Sequence, residues 1–372
     1  MTGQPLAGRR IAEVLATSTG GVGTHLRSLL TPLGRAGALV RVCGPAATDE
    51  LFGFSAAAAF RPVGISGGLD PVADVRAVAA LAQATGGADL VHAHGLRAGL
   101  VAAAARRGTR VPLVLTLHNA LQPGGGLRTR VLGRLEAATV RSADLVLAAS
   151  ADLAENALAQ GARDVRLAPV SAPPLPPPTR SRAQLRAELG LDDRRPLVVA
   201  VGRLHPQKGY DTLLAAAARW AQAPGPTPLT VVAGDGPLEA ELTRRIDAER
   251  LPVRLLGRRT DVADLLAAAD VAVLPSVWEA RSLTAQEALR SGTPLVATRV
   301  GGVPELVGEA AELVPPGDPV ALAERVTAVL TDPERTARLS AAGRAQAAGW
   351  PDEAGTAAQL VAVYRELLGA PG

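Results

Sequence analysis

Short apolar segments alternate with longer amphipathic segments through the first half of the chain. A short continuous apolar run predicts a strand that is buried on both faces, whereas apolar residues three and four positions apart predict an amphipathic helix. Strands are predicted at 10–16, 39–44, 88–95, 111–119 and 143–150, and helices at 23–37, 71–85 and 127–141.

The segment 168–180 interrupts this alternation with six prolines. Proline cannot join a central strand or a helix interior, so this segment is predicted to link two domains. The alternation then begins again. Strands are predicted at 196–204, 228–236, 253–257, 270–275 and 294–300, and helices at 210–222, 237–250, 261–268, 284–291 and 351–369.

These elements predict an α/β protein with two doubly wound, Rossmann-like domains that face each other across a cleft. The expected domains are an N-terminal one at 1–172 and a C-terminal one at 173–350, with a final segment at 351–372 whose helix crosses back to the N-terminal domain. The length of 372 residues also favours two domains, because single cores of that size are uncommon. Ligands in such folds bind at the carboxyl ends of the strands.

Composition narrows the classes of function. Aromatic residues make up only 2% of the chain, which argues against the stacking surfaces that bind single-stranded nucleic acid. The single cysteine, Cys43, provides no disulfide framework, and the first ten residues lack the apolar core of a secretory signal. No apolar run approaches the roughly 18–20 residues of a membrane span. We therefore expect a cytoplasmic protein that does not bind nucleic acid.

Positive charge is concentrated in the first half of the chain. Residues 1–175 hold 17 arginines against 11 acidic residues, a net charge of +6, whereas the whole chain carries +4. The segment 127–141 adds a basic amphipathic helix with Arg128, Arg130, Arg134 and Arg141. Two interpretations stay open: peripheral contact with the anionic inner face of a membrane or another anionic partner, or a helix packed on the sheet with a solvated basic face.

Two glycine-rich loops are candidates for phosphate binding. Gly20, Gly21 and Gly23 lie between the first strand and the first helix, where glycines let backbone N–H groups approach a phosphate, although a simple tight turn fits equally well. The loop "VGRLHPQKGY" carries Arg203 and Lys208, which is the only lysine in the chain. A guanidinium and an ammonium at the beginning of a helix suit a diphosphate.

Two glutamates, Glu279 and Glu287, flank a short turn in "SVWEARSLTAQEAL". Thr284 and Glu287 match a capping box, which gives Glu287 a structural alternative. Capping does not account for Glu279, which follows a predicted strand. The N–H groups of Leu283 and Thr284 would be available to a phosphate at the beginning of the next helix. A carboxylate at each end of a phosphate-binding turn can accept hydrogen bonds from sugar hydroxyls, which suits a nucleotide sugar.

The segments "GRLHPQKG" and "SGTPLVATRVGGVPELV", together with the E-x7-E spacing of the glutamates, resemble family 4 of the retaining glycosyltransferases. The resemblance extends from "TGGVGTHL" to the terminal helix, and it implies the GT-B fold. It also implies a nucleoside diphosphate sugar as donor, linked to UDP or GDP, and a hydroxyl group of an unidentified acceptor (a small molecule, a glycan or a lipid-linked group). Neither a cofactor nor a metal is expected, and no Asp-x-Asp motif occurs.

The resemblance also implies a role for each matching residue. Arg203 and Lys208 would neutralise the diphosphate as it leaves, Glu279 would contact the donor hexose, and Glu287 would hold the ribose hydroxyls. The amides of Leu283 and Thr284 would support the phosphate. Gly21 would approach the donor, the backbone of Arg258 would lie near the base, and His118 would lie beside the transferred sugar. The implied catalytic residues are His118, Glu279, Arg203 and Lys208.

The chain departs from the family pattern after the first glutamate. Arg281 stands where the family often has Phe, and this change raises the possibility of an acidic donor or acceptor. "APVSAPP" replaces the usual "PNG" before the linker, which indicates an altered hinge.

The remaining histidines have open interpretations. His92 and His94 lie two positions apart on a predicted strand and would share one face. A metal site is disfavoured because no further ligand lies nearby in the sequence. For His94 a position in the cleft and a structural position both remain, and His25 either reaches the acceptor or packs locally.

Three competing functions are weighed against glycosyl transfer. A nucleotide-sugar epimerase of the same fold is disfavoured by the E-x7-E pair. A nucleotide-sugar-binding protein without catalysis remains the alternative, although Arg203, Lys208, Glu279 and Glu287 are all retained. A dehydrogenase would need G-x-G-x-x-G and an acidic residue about 20 positions later, and the first turn offers neither.

Overall fold

The computed structural model describes residues 4–68, 70–119, 127–192 and 194–369, and within helix 127–142 it describes side chains from residue 130 onward. The chain divides into two compact units. The first contains the residues up to Pro173 and those from Pro351 onward, and the second contains Pro174–Trp350.

The first unit contains a seven-stranded parallel sheet with the order β3-β2-β1-β4-β5-β6-β7. The central strands are mostly apolar and fully buried, as expected for a parallel sheet covered on both faces. Its strands are β1 (Arg10–Leu15), β2 (Leu39–Gly44), β3 (Ala59–Pro62), β4 (Leu90–His94), β5 (Leu113–Leu117), β6 (Leu145–Ala148) and β7 (Val165–Leu167).

The second unit contains a six-stranded parallel sheet with the order β10-β9-β8-β11-β12-β13. The order reverses between β8 and β11, which is the kind of switch point where α/β sheets bind ligands. Its strands are β8 (Leu197–Val201), β9 (Leu229–Ala233), β10 (Val253–Leu255), β11 (Val271–Leu274), β12 (Leu295–Thr298) and β13 (Glu312–Val314).

Helices connect the parallel strands in both units. None of the helices in the described ranges is long and apolar enough to cross a membrane. The helices are α1 (Gly21–Arg35), α2 (Ala46–Phe52), α3 (Pro71–Ala84), α4 (Leu96–Ala105), α5 (Leu127–Ser142), α6 (Ala151–Ala159), α7 (Arg182–Glu188), α8 (Tyr210–Gln222), α9 (Glu239–Glu249), α10 (Val262–Ala268), α11 (Leu283–Ser291), α12 (Val303–Val307), α13 (Pro319–Thr331), α14 (Pro333–Ala348) and α15 (Glu353–Leu367).

The expected α/β class and the two parallel sheets are confirmed, and every strand predicted from an apolar run is present, with the same or shorter bounds. The sequence pattern missed β3, β7 and β13. All three are edge strands of three or four residues, and an edge strand that is short and partly exposed has no continuous apolar run.

The last helix is part of the core of the first unit. Leu360, Val363 and Tyr364 of α15 pack with Leu29 of α1 and Leu90 of β4 in one buried cluster. Tyr364 is fully buried. The residues after Pro351 therefore complete the first unit, although the whole second unit separates them from it in the sequence.

The proline-rich segment 168–180 contains no helix or strand, as predicted. Its end is fixed to the second unit by the buried carboxylate of Asp264. The Thr179 amide donates to Asp264 Oδ1 at 2.6 Å, and the Thr179 hydroxyl and Arg180 Nε donate to Oδ2 at 3.0 and 2.9 Å. These bonds hold the pKa of Asp264 at about 2 despite the opposing effect of burial.

Candidate functional site

Two neighbouring strands of the second sheet bring the main candidate residues together. β8 pairs with β11, so the loops that follow them begin at the same edge of the sheet. The loop after β8 contains a 3-10 turn that ends at Lys208, and the loop after β11 contains Glu279. This edge is the carboxyl end of the strands, where ligands bind in open α/β sheets.

Lys208 and Glu279 form an ion pair. Lys208 Nζ donates to Glu279 Oε1 at 2.5 Å, and the Ser276 hydroxyl donates to the same oxygen at 2.7 Å. Only 7% of Glu279 is exposed. A buried carboxylate is stable only when it is paired and hydrogen-bonded, and both conditions are met here.

Backbone contacts hold the two loops in place. Gly209 (φ 65°) lies so close to Pro275 that a Cβ atom would overlap the Pro275 carbonyl oxygen. Gly301 (φ 48°) approaches the carbonyl oxygen of Glu279 in the same way, and the Gly302 amide donates to that oxygen at 2.9 Å. Larger residues at these glycines would displace the loop that carries Glu279.

The beginning of α11 differs from the predicted capping box. Ser282, not Thr284, is the N-cap, and its hydroxyl accepts from the Ala285 amide at 3.3 Å. The Thr284 hydroxyl donates to the carbonyl oxygen of Val201 at 3.2 Å instead. The capping-box interpretation was therefore wrong, because Ser282 has the extended backbone that an N-cap needs. Leu283 and Thr284 are the first two residues of the helix, where amides have no intrahelical acceptor.

Glu287 lies one turn further along α11 and is half-buried. Within the described ranges its carboxylate has no hydrogen-bond or ion-pair partner. Burial raises the pKa of Glu287 to about 7, against a smaller opposing effect of the Arg290 charge. A raised pKa without a fixed structural partner is typical of a functional carboxylate.

Arg203 and Arg258 are exposed and follow strands of the second sheet. In the part of the chain that the structure describes, neither guanidinium makes an ion pair. The charges of Arg203 and Lys208 add to the effect of burial in lowering the pKa of His205 between them. The loop after β8 is therefore electropositive, as a diphosphate site requires.

Arg281, which departs from the family pattern, has its guanidinium over an aromatic ring. Its guanidinium carbon lies 5.8 Å from the centre of the Trp350 ring, and that of Arg290 lies at the same distance. Burial lowers the pKa of Arg281. The Arg281 charge therefore has a partner within the second unit, which weakens the inference of an acidic donor.

Gly21 and His118 belong to the first unit, and the other seven predicted site residues belong to the second. Gly21 is the exposed first residue of α1, whose N-cap, Gly20, provides no side chain to the helix amides. His118 follows β5 and is 9% exposed.

His118 lies in a cluster of histidines. Its Nε2 faces His94 Nδ1 at 3.4 Å, and its ring centre lies 5.5 Å from that of His25. Burial and the neighbouring histidines hold the pKa of His118 well below its ordinary value. His118 is therefore a neutral imidazole at physiological pH.

The sequence pattern missed two members of this cluster, Glu13 and Tyr364. Glu13 lies opposite His92 in the register of β1 and β4, and Tyr364 comes from α15. A detectable signal was present for Glu13, because a glutamate inside the apolar run "RIAEVL" is unusual. Tyr364 gave no such signal, because its partners lie hundreds of residues away.

Glu13, His92 and His94 could also reach one metal ion. Their ligand atoms lie within 4.8 Å of one another, so strand register supplies, from a distant part of the sequence, the further ligand that the neighbourhood of His92 and His94 lacks. However, both nitrogens of His92 and both nitrogens of His94 already face hydrogen-bond partners. The cluster is therefore described as a hydrogen-bond network.

Comparison with known families covers most of the chain. Residues 20–173 match a family described as "Glycosyl transferase 4-like domain", and residues 181–346 match "Glycosyl transferases group 1".

Curated relatives span both units. The chain is 33% identical to a D-inositol 3-phosphate glycosyltransferase of Xylanimonas cellulosilytica over 75% of its own length and 72% of that protein. It is 31% identical to an alpha-maltose-1-phosphate synthase of Mycobacterium tuberculosis, over 94% of its own length and 96% of the relative.

Solved structures match over nearly the full length. The crystal structure of Anabaena HepE in complex with UDP has a TM-score of 0.80 and 26% identity, covering 96% of this chain and 100% of HepE. The UDP-glucose complex of HepE has a TM-score of 0.81. The glycosyltransferase WaaG has a TM-score of 0.74 and 18% identity, covering 95% of this chain and 99% of WaaG, a likeness of fold alone.

Proposed function

Because the chain belongs to family 4 of the glycosyltransferases and has the GT-B fold, we propose that it transfers a hexose from a UDP- or GDP-linked sugar to an acceptor hydroxyl. Glycosyl transfer follows from the family. The proposal adds three properties: a nucleoside diphosphate donor, retention at the anomeric carbon and independence of a metal.

The observation that carries the proposal is the ion pair between Lys208 and Glu279 at the switch point of the second sheet. We assign Lys208 to the diphosphate and Glu279, beside it, to the hexose hydroxyls. The amides of Leu283 and Thr284, which have no intrahelical acceptor, begin α11 directly after the loop of Glu279 and add a second site of positive potential.

Glu287 extends the proposed site to the other end of the donor. We assign it to the ribose hydroxyls, because a half-buried carboxylate without a structural partner is a suitable acceptor for two O–H donors. Arg258, which follows β10, is assigned to the base through its backbone, and Gly21 is assigned to contact with the donor. The UDP and UDP-glucose complexes of HepE support a donor of this class.

In the proposed reaction, the bond between the anomeric carbon and the β-phosphate oxygen breaks, and the diphosphate leaves with the electron pair. The acceptor oxygen forms the new bond on the same face of the sugar. Its proton passes to the departing phosphate. Arg203, Lys208 and the beginning of α11 stabilise the charge of the leaving group, which is the role that a divalent ion has in other transferases. His118 contacts the sugar that is transferred.

We also propose that α5 touches an anionic membrane surface. Arg130 and Arg134 are exposed on this helix, and Val131 between them is 43% exposed. A basic face with an exposed apolar residue suits the interface of an anionic bilayer. The Arg130→Gln, Arg134→Gln double variant should sediment less with phosphatidylglycerol vesicles and should be unchanged with phosphatidylcholine vesicles.

The proposal is tested by incubating the protein with UDP- and GDP-hexoses and following the anomeric protons by NMR. We expect slow release of free hexose with retained configuration from one donor, and the same rate in EDTA. Lys208→Ala should lower the rate by about 10²-fold or more, since it removes a charge from the leaving-group site. Release with inversion, or loss of release in EDTA, would contradict the mechanism.

A further inference from the structure

A buried chain of hydrogen bonds leads from β1 to His118. His94 Nε2 lies 2.8 Å from Glu13 Oε2, and His94 Nδ1 lies 3.4 Å from His118 Nε2. Glu13 and His94 are 0% and 3% exposed, so water does not compete for these bonds. The two imidazole rings of His94 and His118 are nearly parallel, with an angle of 19° between them.

The partners of Glu13 determine where the protons lie. The Tyr364 hydroxyl donates to Glu13 Oε1 at 2.7 Å, and His92 Nδ1 lies 2.6 Å from that hydroxyl and 3.2 Å from Glu13 Oε2. Burial alone would raise the pKa of Glu13, but His92 and His94 hold it far below its ordinary value. Glu13 is therefore an ionised carboxylate, which only accepts, and each neighbour that faces it must donate.

The ionised carboxylate of Glu13 also determines which nitrogen of His92 and of His94 carries the proton. His92 carries its proton on Nδ1, and its Nε2 accepts from the Thr116 hydroxyl at 2.6 Å. His94 carries its proton on Nε2, facing Glu13, so its Nδ1 is an acceptor. The facing atom, His118 Nε2, must then carry a proton. This is a complete assignment, in which each of these donors has an acceptor.

The charge on the cluster is compatible with neutral rings. Three neutral donors already stabilise the carboxylate of Glu13, so an imidazolium is not needed. Among the described residues, the titratable groups that face His118 are His25 from α1 and His94 from β4. Burial lowers the pKa of His25 to about 3, so it is neutral as well.

We infer that Glu13 and His94 are positioning residues that hold His118 as the neutral tautomer with its proton on Nε2, so that Nδ1 accepts a hydrogen bond from a hydroxyl of the transferred sugar. In the described ranges His118 Nδ1 has no protein partner. This inference rests on the proposed function only for the sugar contact. The proton assignment itself depends only on the first unit.

The tautomer has a consequence for specificity. A bare Nδ1 attracts a hydroxyl or an amine hydrogen and repels a carboxylate oxygen, because two acceptors cannot share a hydrogen bond. The donor should therefore carry a hydroxyl at the position that faces His118. A uronic acid donor, with a carboxylate there, should be rejected.

The test is an NMR spectrum of the protein labelled with ¹⁵N in its histidines. The chain has five histidines, so the long-range ¹H–¹⁵N spectrum resolves each ring, and single His→Gln variants assign them. We expect the Nε2–H tautomer at His118 and His94 and the Nδ1–H tautomer at His92, at pH 7.5 without ligand. A proton on His118 Nδ1, or an imidazolium at His94, would overturn the assignment.

Two variants then test positioning against a purely structural role. His94→Phe removes the acceptor for His118 Nε2–H, and we expect both tautomers of His118 and a KM for the donor about tenfold higher, the loss of one hydrogen bond. His94→Gln retains an amide oxygen as the acceptor. It should therefore keep the single Nε2–H tautomer of His118 and the parent KM. Thr116→Val, which affects only His92, should leave His118 and KM unchanged.

If His94→Phe is unfolded, the parent spectrum and His94→Gln still decide the assignment. An unaltered His118 tautomer and KM in a folded His94→Phe protein would overturn the role of His94. If the tautomers are as expected but His118→Ala leaves the donor KM unchanged, the sugar contact is wrong and the proton assignment stands. Failure of every donor to react would instead contradict the proposed function.

Discussion

Lys208 Nζ and Glu279 Oε1 lie 2.5 Å apart and join the loops after β8 and β11, 71 positions apart in the sequence. Each charge satisfies the other while no substrate is bound. A diphosphate that approaches this edge competes with Glu279 for the ammonium, and the Glu279 carboxylate then becomes available to sugar hydroxyls. Under the proposed function, the pair therefore couples recognition of the phosphate to recognition of the sugar.

The first prediction uses the fact that Lys208 is the only lysine in the chain. Acetylation by N-hydroxysuccinimidyl acetate, read by mass spectrometry of the tryptic peptide, reports this residue alone. Labelling should be slow in the parent, because the Lys208 side chain is 16% exposed and its ammonium is paired, and faster in Glu279→Gln. A bound donor should protect both proteins. Equal labelling with and without saturating donor would place the diphosphate elsewhere.

The second prediction concerns Glu287, whose pKa burial raises to about 7. Ribose hydroxyls bind the ionised form best, so affinity for the donor should rise roughly tenfold between pH 6 and pH 8 and level off above. Calorimetry with a nucleotide sugar measures this without the titration of a terminal phosphate. Glu287→Gln should bind more weakly at pH 8 and show a flat profile. A flat profile in the parent would contradict the assignment.

The free energy of unfolding of the ligand-free protein should fall as pH rises, whereas its affinity for the donor should rise. The pKa of Glu287 in the folded protein lies above the ordinary value of 4.5. Its contribution to the free energy of unfolding is therefore complete below pH 4.5 and is lost as pH rises through 7. The ligand-free parent should lose stability relative to Glu287→Gln over this range, while its donor affinity increases.

The third prediction concerns Gly301, where a Cβ atom would overlap the carbonyl oxygen of Glu279. Gly301→Ala should displace the Glu279 loop and lower kcat/KM by about 10²-fold, since small displacements at a reacting centre have effects of this size. Gly317→Ala is the matched control, because Gly317 also has a positive φ, 72°, with open space around it. If both variants lose the same activity, backbone strain and not the Glu279 contact is the cause.

The fourth prediction uses the two tyrosines of the chain, one in each unit. Tyr364→Phe removes a buried donor to Glu13, and Tyr210→Phe removes the donor to the Gly202 carbonyl oxygen at 2.9 Å. Each should cost about 1–3 kcal/mol. Hydrogen exchange read by mass spectrometry should show faster exchange in the unit that carries the substitution. A uniform change across both units would indicate a single cooperative fold.

The apolar pattern was sufficient to predict the central strands, because each is a continuous buried run such as "LVLTL" in β5. It did not predict the beginning of α11 correctly. Ser282 and Thr284 are both suitable caps by residue type, and the backbone of Ser282, with φ −60° and ψ 118°, decides between them. Such a choice depends on how the chain enters the helix, which residue identity alone does not specify.

The network around Glu13 was not predictable for a different reason. Glu13, His92 and Tyr364 are brought together by strand register and by the docking of the last helix. Their sequence separations of up to 351 positions carry no local pattern. The loop residues of the second unit could be predicted from the sequence, because each motif, its turn and the helix that follows lie within a few positions of one another.

The central claim is that the second unit holds a nucleoside diphosphate through Lys208 and Glu287. Thermal unfolding with UDP, GDP and their sugar derivatives tests it most directly. One nucleotide at 100 times its Kd should stabilise the parent by about 2.7 kcal/mol. The same concentration should stabilise Lys208→Ala and Glu287→Ala far less. If no nucleotide stabilises the parent, or if both variants respond as the parent does, the account of the donor site is contradicted.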